Sequence, residues 1–456
     1  MKFLFLYLFL CFAYTSSFSQ NDEKLIRSIY DEALTNRTAY ENLRYLTKNF
    51  KGRIACAPEA IKAAFWAKEK MDEMDLDTVF MQEMMVVNWI RGDIEEGTII
   101  SEKYGQRDVE VCALGLAVGT GSIGLKAKII EISSRQELEQ LGRKNIEGKI
   151  VFFNEALDNK LINTFGAYGK AAWQRTEGPS LAAGYGAKAA VIRSLTASID
   201  KHPHTGVTRY AEGIDSIPAI AICTEHAELL SKWLKNDPDL EFYFKTMCLN
   251  LPETKSYNAI GEIRGSKYPD EYIVIGGHLD AWDNSEGAHD DGGGCMQSIE
   301  ILRIFKTLGI KPERSIRAVM FMDEEISQRG GAKYADEVRR KGEKHIVAME
   351  ADRGCATPVG FTVDASAGLL EKIQKHRNLL SPYGINFIAR GGGGVDIGPL
   401  KQFNTVLIGL VTDNHRYFDW HHSPNDSFEQ INIREFQMGS AAMASLTFLL
   451  DKYLHN

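Results

Sequence analysis

Residues 271–294 read EYIVIGGHLDAWDNSEGAHDDGGG. The apolar and β-branched run Tyr272–Ile275 is typical of a buried strand in a parallel sheet. A polar loop follows, and three glycines then lead into an apolar segment, about 295–308, whose pattern predicts a helix. Ligands of open α/β sheets bind beyond the carboxyl ends of the strands, so we expect a functional site in this loop.

Three polar residues of the loop suit a metal site. His278 and Asp290 offer the imidazole and the carboxylate oxygen that zinc takes as ligands. Asp280, two residues after His278, could accept the proton of the far ring nitrogen and so orient the imidazole. A polar loop with solvated acids is the alternative that this stretch leaves open.

Further acids and histidines follow the later predicted strands. The strand 317–322 runs into Asp-Glu-Glu at 323–325, where three acids repel one another unless a positive charge lies among them. Asp352 follows the next strand, and His-His-Ser stands at 421–423. With the histidine and aspartate of the first loop, these residues form a ligand set for two zinc ions that share a bridging carboxylate. A solvated strand end is the alternative for the triple acid.

The segment from about residue 256 onward alternates strand-like and helix-like patterns. The predicted strands are 256–263, 271–276, 314–322, 345–350, 358–363 and 404–411. The predicted helices are 295–308, 328–341, 366–379 and 432–453. This alternation predicts a βαβ sheet that is covered by helices on both faces.

Composition excludes one class of function. The chain has 456 residues and a net charge of −8, without the clustered lysines and arginines of a nucleic-acid-binding protein. The apolar run Phe3–Tyr14 and the small polar residues after it predict a secretory signal peptide over residues 1–19. A membrane anchor is the alternative, but the run is too short to span a bilayer. We therefore expect an exported protein, periplasmic or secreted, with no membrane span.

The segment between residues 96 and 250 has a different character. Short strand-like pieces alternate with glycine-rich turns, which predicts a small β-rich inserted domain. His202 and His204 flank Pro203 and suggest either a metal site or a turn, of which the turn is favoured. The predicted limits are a signal peptide at 1–19, an N-terminal part of the main domain at 20–95, the insertion at 96–250 and the core at 251–456.

The motifs HLD, DDGGG, DEE, EAD and HHS, in this order, resemble those of the co-catalytic zinc exopeptidases. These include bacterial leucyl-type aminopeptidases and glutamate carboxypeptidases, and the likeness is greatest to the plasma glutamate carboxypeptidases. The stretches GYGAKAAVIRS (184–194), PHTG (203–206) and IPAIAI (217–222) look like the protease-associated domain of that group. The resemblance implies an α/β zinc-exopeptidase fold, with a mixed, mostly parallel sheet between helices and an inserted β-rich protease-associated domain.

The resemblance also implies a role for each matching residue. Two zinc ions per chain would be held by five residues: His278, Asp290 and Asp352 for the first, and Asp290, Glu325 and His422 for the second. Glu324 would be the general base, and Asp280 would orient the first histidine. The position directly before serine selects His422 over His421, and Asp396 is interpreted as part of a substrate-pocket loop.

The implied reaction is the hydrolysis of short peptides, chiefly dipeptides with both termini free. Zinc acidifies a bound water, and Glu324 takes its proton without a covalent intermediate. Arg353 and Arg390 are candidate cations for a substrate carboxylate, or else structural salt-bridge partners. The alternatives are a broad aminopeptidase, a single-zinc glutaminyl cyclase and a non-catalytic relative; the complete ligand set argues against the last. A homodimer and the natural substrate stay open.

Overall fold

The structure is a computed structural model that describes residues 20–454. The predicted signal peptide, residues 1–19, lies outside the described residues. From 20 to 454 the chain forms two eight-stranded sheets with helices packed against them. In this part of the chain, no helix is both long enough and apolar enough to cross a membrane.

The strands of both sheets are numbered along the chain. They are β1 Thr78–Ile90, β2 Glu95–Ser101, β3 Gly105–Asp108, β4 Val111–Ala113, β5 Leu125–Ile132, β6 Ile150–Phe153, β7 Ala189–Arg193, β8 Ala219–Ile222, β9 Glu241–Thr246, β10 Leu249–Ile263, β11 Tyr268–His278, β12 Arg314–Phe321, β13 Lys344–Glu350, β14 Pro358–Asp364, β15 Phe387–Arg390 and β16 Val406–Thr412. The first sheet, in the order β1-β10-β12-β11-β13-β16-β14-β15, is the core sheet. The second, β3-β2-β9-β5-β6-β7-β8-β4, is the insertion sheet.

The helices are numbered in the same way. They are α1 at 20–35, α2 Thr38–Asn49, α3 Pro58–Asp72, α4 Arg135–Ile146, α5 Thr164–Ala171, α6 Trp173–Thr176, α7 Gly178–Gly184, α8 Thr224–Leu234, α9 Gly293–Thr307, α10 Arg329–Lys341, α11 Ala367–Gln374, α12 Arg377–Leu380, α13 Tyr417–Trp420 and α14 Ile433–Tyr453. A short π-helical turn, Ala288–Gly292, precedes α9.

The core sheet is mixed and mostly parallel, as predicted. Strand β11 pairs in parallel with β12 and β13, and β13 pairs in parallel with β16. The strands β1, β10 and β12 are antiparallel neighbours, and so are β14 and β16. Helices α2, α3, α9 and α14 bury one face of the sheet in the main apolar core, while α10 covers the other face. The fully buried middle strands explain their near-continuous apolar sequence.

All six strands and four helices predicted after residue 256 are present in the core. The predicted helix 366–379 is divided into α11 and α12, and the sequence analysis did not identify β15. The insertion sheet has strands from Glu95 to Thr246, close to the predicted limits of 96 and 250. It carries five helices, α4 to α8.

Glycines at the start of α9 allow this helix to lie against neighbouring backbone. A Cβ added to Gly294 would be 1.8 Å from the carbonyl oxygen of Ala351. One added to Gly293 would be 1.9 Å from Sγ of Cys355. The glycine run is therefore required for α9 to begin beside the segment that follows β13, where Asp352 lies.

We expect Gly294→Ala to destabilise the protein. Alanine favours a helix over glycine by about 0.5–1 kcal/mol, but overpacking against backbone costs typically about 1–3 kcal/mol. The midpoint of urea unfolding should therefore fall. The control is Gly368→Ala in α11, where an added Cβ meets no atom within 4 Å. An equal response of the two variants would contradict the close approach at α9.

Candidate metal centre

Parallel pairing brings the ends of three strands to one edge of the core sheet. β11 ends at His278, and β12 and β13 end beside it. The acids at 323–325 follow β12, and Asp352 follows β13. After β16, helix α13 leads directly into residues 421 and 422. All the residues predicted as ligands therefore lie at or near the carboxyl ends of the strands, where sites of α/β sheets are found.

The first group of ligand-type atoms surrounds His278. Its Nε2 lies 3.2 Å from Oδ1 of Asp290 and 3.6 Å from Oδ1 of Asp352. Each of these residues contributes one ligand atom, and the three atoms all lie within 4.8 Å of one another. An imidazole nitrogen and two carboxylate oxygens at this spacing are a donor set that zinc accepts.

The second group surrounds the other oxygen of Asp290. Nε2 of His422 lies 3.4 Å from Oδ2 of Asp290 and 3.1 Å from Oε2 of Glu325. Nε2 of His421 lies 3.7 Å from the same Oδ2, and the two imidazoles stack with their centroids 3.5 Å apart. Asp290, His421 and His422 each offer a ligand atom, and the three atoms lie within 4.8 Å of one another, so Asp290 belongs to both groups. Of the two neighbouring histidines, His422 is the one whose ion pairs include both carboxylates.

Asp280 contacts both groups, but the acceptor for the His278 ring is its backbone carbonyl and not the predicted carboxylate. Nδ1 of His278 makes its hydrogen bond, at 3.0 Å, with the backbone carbonyl of Asp280, while the Asp280 carboxylate lies 3.7 Å away. That carboxylate instead accepts the backbone N–H groups of Glu324 and Glu325, at 3.2 and 3.3 Å. With Nδ1 donating to the carbonyl, Nε2 is directed at Asp290 and Asp352, and in the neutral imidazole its lone pair is free to bind a cation.

Burial and crowding shift the pKa values of the site. Burial, reinforced by neighbouring acids, raises the pKa of Glu324 to about 8 and raises that of Glu325 as well. Burial also acts on Asp290, but the hydrogen bond with His278 and the neighbouring histidines hold its pKa far below the usual range. Burial opposes protonation of His278, yet Asp290 and Asp352 together raise its pKa well above normal. The ionised acids of the site are therefore stabilised by the same few positively charged neighbours.

Two buried oxygens provide a test of whether the site fits metal ions. Oδ2 of Asp290 and Oε1 of Glu325 have no hydrogen-bond partner among the described residues. Buried polar atoms are nearly always paired, so such atoms need an explanation. The atoms that face one another here are carboxylate oxygens and imidazole nitrogens, all of which can donate an electron pair to a cation. The residues present therefore fit a pair of metal ions.

Comparison with known proteins agrees with this geometry. The sequence profile of Peptidase family M28 matches residues 258–447. Carboxypeptidase Q of Bos taurus is 30% identical over 423 residues, which cover 93% of this chain and 87% of the bovine protein. Carboxypeptidase Q of Xenopus laevis is 32% identical over 405 residues, which cover 88% and 84%. The chain belongs to peptidase family M28.

Solved structures of M28 peptidases have the same architecture. A peptidase M28 precursor from Shewanella amazonensis superposes with a TM-score of 0.90 at 30% identity, covering 95% of this chain and 97% of the other. A zinc aminopeptidase from Bacillus subtilis superposes with a TM-score of 0.63 at 21% identity, covering 90% and 94%, and so shares the fold. Membership of M28 confirms the predicted fold class, the zinc metallo-exopeptidase activity and the two zinc ions per chain.

Several acids near the M28 site in sequence lie apart from it. Asp283 pairs with Arg91 at 2.6 Å, and Glu286 pairs with Lys48 at 2.8 Å. Asp323, the first of the three acids after β12, is fully buried, and burial raises its pKa to about 8. Two further residues are near the site in sequence. His289 stacks on Trp420, and Asp396 is buried next to Glu350.

Two buried residues that position the metal loop were missed in the sequence. Arg53 donates to the carbonyls of Leu279, Glu286 and Gly287. Asp426 accepts the backbone N–H groups of His289 and Asp290, at 2.7 and 3.1 Å. Asp426 follows the HHS motif by three residues, which is a usable signal in retrospect. Arg53 stands in a stretch without any motif, and its partners are more than 200 residues away.

The inserted segment also contacts the M28 site. His204 hydrogen-bonds the carbonyl of His421 at 2.7 Å, and the carbonyl of Thr205 lies 3.2 Å from Nδ1 of His422. Arg175 contacts the same Nδ1 at 3.4 Å and donates to the hydroxyl of Tyr168 at 2.6 Å. The segment around Pro203 is thus neither a separate metal site nor a turn unconnected with this site, because its residues hydrogen-bond the histidine pair.

Proposed function

We propose that this M28 peptidase is an exported enzyme that hydrolyses short peptides, above all dipeptides with both termini free. The proposed ligands are those of the sequence analysis: His278, Asp290 and Asp352 for one zinc ion, and Asp290, Glu325 and His422 for the other. Glu324 is proposed as the general base and Asp280 as the residue that positions it. Export rests on the signal peptide predicted at residues 1–19, and a homodimer stays a prediction.

The observation that carries the ligand assignment is the position of Asp290. Its two oxygens face two different histidines, at 3.2 Å from Nε2 of His278 and 3.4 Å from Nε2 of His422. A carboxylate in this position can bind one ion through each oxygen, as in two-metal hydrolases. His422 also has a positive φ of 61°, and strained backbone of this kind clusters at functional sites.

The reaction can be derived from the residues that face the ions. Zinc, when bound, polarises the scissile carbonyl and acidifies the attacking water. Glu324 accepts the proton of that water and delivers it to the leaving amine. Burial raises the pKa of Glu324 above its usual range, which favours its acceptance of that proton. The Asp280 carboxylate accepts hydrogen bonds from the N–H groups of both Glu324 and Glu325. It thereby fixes the backbone that carries the proposed base and one proposed ligand.

Short substrates are supported by the way the insertion packs beside the site. Phe165 of α5 stacks on Tyr417 with centroids 5.2 Å apart, and Tyr168 stacks on Phe418 at 4.5 Å. These contacts place α5 against α13, which leads into the histidine pair. We expect a site bordered in this way to restrict the length of the peptide that can reach the proposed zinc ligands. The similarity to carboxypeptidase Q favours recognition of a free carboxyl terminus.

A panel of peptides tests the proposed substrate class. The purified enzyme should hydrolyse a free dipeptide rapidly, and blocking either its amine or its carboxylate should lower kcat/KM. A chelator should abolish the activity, and zinc should restore it. Efficient cleavage of long peptides with free amino termini, irrespective of C-terminal amidation, would instead identify a broad aminopeptidase.

We expect Glu324→Gln to retain both zinc ions and to lose most activity. The substitution removes the base but none of the proposed ligands, and general acid–base groups contribute about 10²–10⁴-fold to the rate. Steady-state kinetics and metal analysis on the same preparation measure both effects. Asp323→Asn is the matched control, because its carboxylate is the neighbouring acid. If Asp323→Asn is inactive and Glu324→Gln is not, the base has been assigned to the wrong residue.

The two adjacent histidines are distinguished by their metal content. We expect His422→Ala to lose the second zinc ion, because Nε2 of His422 contacts both Asp290 and Glu325. His421→Ala should keep two ions per chain, since its Nε2 is farther from Asp290, at 3.7 Å. Plasma emission spectrometry of dialysed protein gives the stoichiometry. The opposite result would shift the ligand by one residue.

A further inference from the structure

A cavity of about 730 Å³ opens beside the segment that follows β13. Its lining combines the insertion with the core sheet, through Phe165 on one side and Val359, Phe387 and Val411 on the other. These apolar side chains form a wall suited to one apolar substrate side chain. Among the described residues, two arginines also line the cavity, which gives it a positive character that the metal ligands lack.

The first of these arginines is Arg353, directly after the proposed ligand Asp352. Its side chain is partly buried, and its guanidinium lies 5.6 Å from the centre of the Phe165 ring. No acidic side chain of residues 20–454 forms an ion pair with it. The charges of Asp352 and Glu350 act on this guanidinium, but no carboxylate of residues 20–454 occupies its hydrogen-bond donors. These donors match an incoming carboxylate in a bidentate manner.

The position of Arg353 next to a proposed ligand suits recognition of the carboxylate of a dipeptide. The C-terminal carboxylate is one residue beyond the scissile carbonyl, and one extended residue spans at most about 3.6 Å. A cation that recognises it must therefore lie close to the ligands, and the charges of Arg353 and Asp352 do interact. Arg353 meets this condition because its backbone follows that of Asp352.

We propose that this cavity is the subsite for the C-terminal residue of the substrate, and that Arg353 binds its free carboxylate. This inference rests on the proposed function, since it assigns the group that recognises one terminus of the dipeptide. The ring of Phe165 limits the movement of the guanidinium, and the apolar wall accepts the side chain of the same substrate residue. The chemical class is thus a dipeptide with an apolar C-terminal residue and an unblocked carboxylate.

The second arginine, Arg390, is less suited to this role. It is exposed, and its Nη1 donates to the carbonyl of Ala365 at 3.1 Å. It stands at the end of β15, the edge strand of the core sheet, whereas the metal ligands follow the central strands. Asp413 also lines the cavity, and its carboxylate accepts the N–H of His415 at 3.4 Å. Neither arginine forms an ion pair with Asp413.

The test compares alanyl-phenylalanine with its C-terminal amide, using the zinc-loaded full-length enzyme. The wild type should prefer the free acid. Arg353→Gln should lower kcat/KM for the acid by about 10- to 100-fold, which is the usual contribution of a hydrogen bond to a charged group. The rate on the amide should stay within about threefold. Arg353→Lys keeps the charge without the bidentate geometry, so its preference for the acid should be intermediate.

The controls separate this inference from the proposed function. Arg339→Gln, an exposed arginine on α10, should change neither rate. If the wild type does not distinguish acid from amide, the proposed preference for free termini fails, and the role of Arg353 fails with it. If the wild type does distinguish them and Arg353→Gln does so equally well, only the assignment of Arg353 is overturned. Loss of the preference in Arg390→Gln alone, or an equal loss on both substrates in both Arg353 variants at normal zinc content, would also overturn it.

Discussion

Both oxygens of the Asp290 carboxylate face a histidine, and the surrounding structure is arranged to hold that carboxylate between them. The loop that carries it has neither helix nor strand from 279 to 287, so its position depends on contacts from elsewhere. Arg53 donates to three of its carbonyls, and Asp426 accepts the N–H of Asp290 itself. Asp291 accepts the N–H of His278 at 3.1 Å and thereby ties the loop to the end of β11. One shared carboxylate thus accounts for buried polar residues from distant parts of the chain.

The insertion takes part in the same arrangement. Its residues Arg175, His204 and Thr205 contact the histidine pair on the side away from the acids, and its helix α5 packs through aromatic rings on α13. A histidine ligand needs a second contact to fix its ring orientation. For His278 that contact comes from the core, but for His422 it comes from the insertion. The insertion is therefore part of the candidate site as well as its border.

The sequence was most informative where function depends on strand ends. The predicted strands after residue 256 placed the acids of 323–325 and Asp352 at one edge of a sheet, because parallel strands share the direction of their ends. The sequence could not predict contacts without a local pattern. Examples are those of Arg53, whose partners are distant in sequence, and of Arg175, which belongs to the insertion. Asp280 shows a finer limit. That Asp280 lies close to His278 was predictable. Whether its carbonyl or its carboxylate accepts the hydrogen bond of the ring depends on backbone geometry that the two-residue spacing does not specify.

Charge balance explains why these features depend on one another. Burial raises the pKa of Glu324 to about 8 and those of Glu350 and Asp426 to about 7, so the enclosed acids resist ionising together. Arg53 lies near Asp426, but it donates its hydrogen bonds to carbonyl groups. Protons can neutralise such a cluster at low pH, whereas at neutral pH divalent cations do so without removing the carboxylates' lone pairs. The proposed carboxylate ligands lie among these buried acids, and the burial of the whole cluster would make bound metal ions favourable to the fold.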